Sequence, residues 1–142
     1  MIIKKFKKFN ESVDSKSFTI RDLEAACLEN NKGLIEEILE SGLDINSENG
    51  VALRQAIKSK NKELIHFLLG KGANPNVRRY MPIKLAAGYG LDILKILIDA
   101  AGDISKNDIH NILSWVKTSD TEVGGFRIAS PEVIQYLESI SE

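Results

Sequence analysis

Gly72-Ala73-Asn74-Pro75-Asn76-Val77-Arg78-Arg79-Tyr80-Met81-Pro82-Ile83-Lys84-Leu85-Ala86-Ala87 decides the fold, because its parts recur along the chain at one spacing. Gly72 has counterparts at Gly42 and Gly102, thirty residues away on either side. Ile83 follows Leu53 and Leu23 at that interval, and Ala86 follows Ala56 and Ala26. Leu34, Leu64 and Leu94 keep it as well. A period near thirty, with a small residue always in one slot, marks an array of stacked units. One such unit cannot bury its apolar faces alone, whereas three or more in contact can.

Each unit is predicted as helix, turn, helix, turn. In the first, Thr19 is an N-cap with Asp22 as its capping-box partner. Leu23, Ala26 and Cys27 form a short apolar face, and Asn30-Asn31-Lys32-Gly33 breaks the chain. Leu34, Ile35, Ile38 and Leu39 resume at helical spacing, and Gly42 supplies a left-handed end. The second unit repeats the scheme with Leu53, Ala56 and Ile57, a break at Lys60-Asn61-Lys62, then Leu64, Ile65, Leu68 and Leu69. The third carries Pro82, Ile83, Leu85 and Ala86, a break at Tyr89-Gly90, then Ile93, Leu94, Leu97 and Ile98. Its inter-helix turn lacks one residue after Gly90, and it gains an alanine at Ala100-Ala101. A degenerate fourth unit is expected to close the stack. Asp108 to Val116 reads as its first helix, and Ser130-Pro131-Glu132 starts its second. Thr118 to Ile128 reads as an insertion between them.

Met81-Pro82-Ile83-Lys84-Leu85-Ala86-Ala87 resembles the ankyrin signature Thr-Pro-Leu-His-Leu-Ala-Ala. Leu91-Asp92-Ile93-Leu94-Lys95-Ile96-Leu97-Ile98 resembles the family's second-helix motif. Gly42-Leu43-Asp44-Ile45-Asn46 and Gly72-Ala73-Asn74-Pro75-Asn76 resemble its Gly-Ala-Asp-Val-Asn ending. The resemblance spans about residues 19–105 and implies an all-α solenoid of about four repeats. The family unit is ~33 residues long. The shortage here falls between Asn46 and Val51 and between Asn76 and Met81, where the family builds a projecting hairpin. Short turns are expected there instead. Residues 1–18 are then a separate N-terminal segment, and residues 19–142 the repeat domain.

The resemblance also implies a partner protein bound along the concave side, on the turn tips and the exposed face of the first helices. The matching positions are Ser47, Glu48, Asn49 and Arg54 in the second repeat, and Arg78, Arg79, Tyr80 and Lys84 in the third. Lys58 and Tyr89 fall at the exposed ends of their first helices. The candidate partner-binding set is therefore Arg54, Lys58, Arg78, Arg79, Tyr80, Lys84 and Tyr89. Arg and Tyr are types enriched at energetic hot spots. Arg78-Arg79-Tyr80 is the leading candidate.

Charge patterning points to an acidic partner. Residues 50–84 hold eight basic residues and one acid, while residues 19–49 hold two basic and eight acidic ones. Residues 85–142 hold four basic and nine acidic residues, so a basic middle lies between acidic ends. The competing reading is that the middle repeat only complements its neighbours. A pI of about 6.2 without a nucleic-acid fold signature argues against a dedicated nucleic-acid binder.

No nucleophile elbow, Walker loop, zinc spacing or paired cysteine motif is present in the sequence. His66 and His110 are isolated, and acid pairs such as Glu36-Glu37 read as solubilising charge. The expectation is a non-catalytic monomer without cofactor or metal. The single cysteine, Cys27, forbids an intramolecular disulfide and fits a reducing, cytoplasmic setting. No apolar run approaches the ~18 residues that span a bilayer.

Ile2, Phe6, Phe9 and Val13 recur at helical spacing among Lys4, Lys5, Lys7 and Lys8. Three readings stand open for this segment. It is a cap over the first repeat, a basic helix that touches anionic membrane, or a leader. Lys4-Lys5-Phe6-Lys7-Lys8-Phe9-Asn10-Glu11-Ser12 resembles short leaders of tailed-bacteriophage proteins, some cut after an acid, here Glu11. That resemblance implies an alternative function, a phage-encoded protein packaged in the virion or acting in the host cytoplasm.

Overall fold

A computed structural model describes residues 17–118 and 128–142. The cap, membrane and leader readings of the N-terminal segment rest on residues 1–16 and lie outside the described residues, as does most of the 118–128 insertion. The described residues form eight helices and no strand: α1 (Ile20–Leu28), α2 (Lys32–Glu40), α3 (Ser47–Lys58), α4 (Lys62–Gly70), α5 (Val77–Ala86), α6 (Leu91–Ala101), α7 (Lys106–Thr118) and α8 (Pro131–Ser141). They pair in chain order into four units. The first helices α1, α3, α5 and α7 stack on one another, and each second helix packs behind its own first helix.

The small-residue slot explains the close stacking. Ala26, Ala56 and Ala86 are each 0% exposed, so at this slot no side chain beyond a methyl stands between the first helices. Behind them Ile35, Ile38, Leu64, Ile65, Leu68, Ile93, Leu94 and Leu97 fill the core. Each such side chain stabilises the fold by roughly 1.5–3 kcal/mol on burial. No polar or charged residue is buried among the described residues.

The caps at Thr19 and Ser130 follow the sequence reading, and Asn31 and Asn61, read there as breaks, are caps as well. Thr19 and Asp22 close a capping box, with the Thr19 N–H donating to Asp22 Oδ2 at 2.7 Å. Asn31 and Asn61 each accept through Oδ1 from the backbone N–H three residues on, both at 3.1 Å. Before these two caps, Asn30 and Lys60 end their first helices in the left-handed region. The third repeat, one residue short, has Gly90 in the cap position, without a side-chain hydrogen bond. Ser130 caps α8 through the Val133 N–H at 3.4 Å. α7 begins earlier than the apolar pattern suggested, because Ser105 accepts from the Asp108 N–H at 3.0 Å and starts the helix there.

The shortened fingers are single left-handed turns. Glu48, Asn49 and Gly50 have φ of 51°, 59° and 75°. Arg78, Arg79 and Tyr80 repeat them at 50°, 54° and 66°. The Gly50 N–H donates to Asn46 O at 3.1 Å, and the Tyr80 N–H to Asn76 O at 3.3 Å. A left-handed residue with a side chain costs about 1–2 kcal/mol. The surrounding contacts must offset that cost, three times over in the second of these turns. An asparagine ladder fixes the two turns one repeat apart. Asn46 Oδ1 accepts from the Asn74 N–H at 2.8 Å, and its Nδ2 donates to Gly72 O at 3.2 Å.

Candidate partner-binding surface

The two turns share a backbone and differ in what they carry. In the second repeat the turn ends on Gly50, where an added Cβ would stand 3.3 Å from Val77 Cγ2 of the next repeat. Arg54 bends back onto this turn. Its Nη2 donates to Glu48 O at 2.8 Å and its Nε to Asn49 O at 3.3 Å. Part of that guanidinium is therefore committed to holding its own turn.

In the third repeat the turn leaves Arg78 and Arg79 exposed. Neither has a carboxylate partner among the described residues. Tyr80 is half-buried against the core, and its hydroxyl donates to Asp108 Oδ2 on α7 at 3.1 Å. Burial and that bond push its phenol above the usual tyrosine range. Lys84 stands at the Arg54 slot but makes a different contact. Its Nζ lies 5.5 Å from the centroid of the Trp115 ring, within cation–π reach. Burial first, then the charge of Arg79, lower the Lys84 ammonium below the usual lysine range. Arg79 and Lys84 are thus electrostatic neighbours.

Lys58 is half-exposed on α3, again without a carboxylate partner among the described residues. Tyr89 departs from expectation. It was placed at the exposed end of a first helix but is only 6% exposed and joins the core. The missing residue after Gly90 is the cause: the tightened turn draws the ring inward. Tyr89 is therefore a packing residue, and the accessible set contracts to the other six positions.

The rest of the basic block divides cleanly. Lys62 pairs with Asp92, and Lys71 with Glu36 at 2.8 Å. These pairs join neighbouring repeats, so complementing acidic neighbours accounts for them. It does not account for Arg78, Arg79, Lys58 or Lys60. Trp115 and Asp108 were not among the sequence-derived site residues. Their positions in α7 could be read, but the meeting of α7 with the third repeat's turn could not.

Cys27 is buried, and burial followed by the charge of Glu24 pushes its thiol up to about 11. It is therefore a protonated, unreactive thiol at neutral pH. His66 and His110 are exposed. Among the described residues no group of three or more His, Cys, Asp or Glu gathers to hold a metal, and no helix is long and apolar enough to cross a membrane.

The family model for ankyrin repeats, in three copies, matches residues 23–109. Neither the curated proteins nor the solved structures gave a match. That span is more than half of the chain and coincides with the stacked helix pairs, and the chain belongs to the ankyrin-repeat family.

Proposed function

We propose that residues 19–142 act as one non-catalytic binding unit, a monomer in a reducing cytoplasm, holding an acidic protein partner on the surface of the middle repeats. Ankyrin repeats are generally protein–protein interaction modules. The observation that carries the finer reading is the pair Arg78 and Arg79. Both are exposed, both sit on a turn of fixed left-handed backbone, and neither has a carboxylate partner among the described residues. Lys84 and Tyr80 flank them on α5, and Arg54 and Lys58 extend the same charge along α3.

Such a surface binds more weakly as salt rises, because exposed charges are screened over ~8–10 Å at physiological ionic strength. The test is to capture the partner and measure its affinity by calorimetry at two salt concentrations. Replacing Arg78→Glu together with Arg79→Glu is expected to lower affinity about tenfold or more, with the helical signal unchanged. Salt-independent binding, or full affinity in the folded double variant, would show that the basic block only balances the acidic repeats beside it.

A further inference from the structure

We infer that the basic N-terminal segment, residues 1–16, seats its apolar residues on the open end of the first repeat and closes the stack there. Gln55 marks the face that a first helix turns toward the repeat before it, because its Nε2 donates to Glu24 Oε2 of the first repeat at 2.8 Å. Ala25 stands at the same slot one repeat earlier, and it is exposed. Leu28 follows three residues later on the same side of α1 and is 63% exposed. The slots matching Leu28 hold Lys58 and Gly88, so only the first of these three repeats puts a large apolar side chain there. Leu34 shows the same loss of cover: it is partly exposed, whereas Leu64 and Leu94 are each 0% exposed. Three apolar positions thus lie open where the described stack ends.

The chain itself supplies the occupant. Residues 1–16 run into Ser17, Phe18 and the Thr19 cap of α1, so their tether to this end is short. A short tether holds a segment at an effective concentration on the order of millimolar. Ile2, Phe6, Phe9 and Val13, at helical spacing, are the apolar residues it brings. Charge selects this occupant over others. Residues 1–18 hold five lysines and two acids, against two basic and eight acidic residues in 19–49. Glu29, next to Leu28, is exposed and forms no ion pair among the described residues, which suits it to Lys4, Lys5, Lys7 or Lys8. A second copy stacked end to end would bring residues 85–142, with four basic and nine acidic residues, against the same acidic repeat. Like charge opposes that contact, and it opposes an anionic membrane at this end in the same way.

A double-mutant cycle in the full chain, read by urea denaturation, tests the contact. A leucine left in solvent costs little to truncate, whereas a covered one costs its burial. Leu28→Ala and Phe6→Ala are each expected to lower the midpoint, and the double variant to fall short of the summed losses. A Leu28→Ala midpoint that does not move, or losses that simply add, would overturn the contact. Sedimentation and vesicle flotation then identify the occupant. The full chain is expected to sediment as a single chain and to stay off phosphatidylserine vesicles. Dimers that Leu28→Ala abolishes would give the open end to a second copy, and vesicle binding that Phe6→Ala abolishes would give the segment to a membrane. Either result would overturn the inference.

Discussion

The turns at Glu48–Gly50 and Arg78–Tyr80 follow one backbone course and carry opposite chemistry. The first offers an acid, an amide and a glycine, steadied from below by Arg54. The second offers two guanidinium groups and a ring tied to the fourth repeat through Asp108. Gly50 relieves one of three strained positions, while Arg78, Arg79 and Tyr80 all bear left-handed backbone with full side chains. The family fold thus fixes where a turn projects, and the residues on it decide what it can meet. The extra strain in the third repeat is tolerated where the two exposed arginines stand.

The comparison requires that the two repeats stack identically, and the largest expected effect probes that. Ala56→Leu inserts three heavy atoms where α1, α3 and α5 lie closest, and overpacking of this kind costs about 1–3 kcal/mol. Urea denaturation should show a lower midpoint with an unchanged slope. An unchanged midpoint would mean the slot is not the closest approach.

A second change sharpens the contrast between the turns themselves. Gly50→Ala places a methyl on left-handed backbone and against Val77, and should cost about 1–2 kcal/mol. Tyr80→Phe, at the equivalent position, deletes only the bond to Asp108 and should cost about 0.5–1.5 kcal/mol. Thermal melts of the two variants should rank in that order. The reverse ranking would show that the hydroxyl, rather than backbone geometry, holds the turns in place.

The repeat made most of the fold legible. The thirty-residue interval locates the helices, the Ala slot locates their contacts, and Thr19 and Ser130 mark starts by their capping chemistry, whereas Asn31 and Asn61 read only as breaks. What sequence could not supply was contact between units. Tyr89 reads as exposed by counting positions, yet a turn shortened by one residue buries it. Arg54 and Lys84 occupy one slot of the repeat, yet one turns to carbonyls and the other to an indole. That difference arises because Trp115 belongs to a fourth repeat too degenerate to be aligned with the others. The net charge of a segment was legible, whereas the division of that charge into Lys62 and Lys71, which pair, and Arg78 and Arg79, which do not, required coordinates.

A charge-conserving exchange of the two turns tests the account most directly. Glu48→Arg and Asn49→Arg, combined with Arg78→Glu and Arg79→Asn, leave composition and net charge untouched and move only the place where the arginines stand. Because both turns share a backbone, the exchanged protein should fold with the same helical signal. Its calorimetric affinity for the captured acidic partner should fall about tenfold or more. Affinity retained in the folded, exchanged protein would contradict the account, since total charge rather than the Arg78–Arg79 turn would then govern binding.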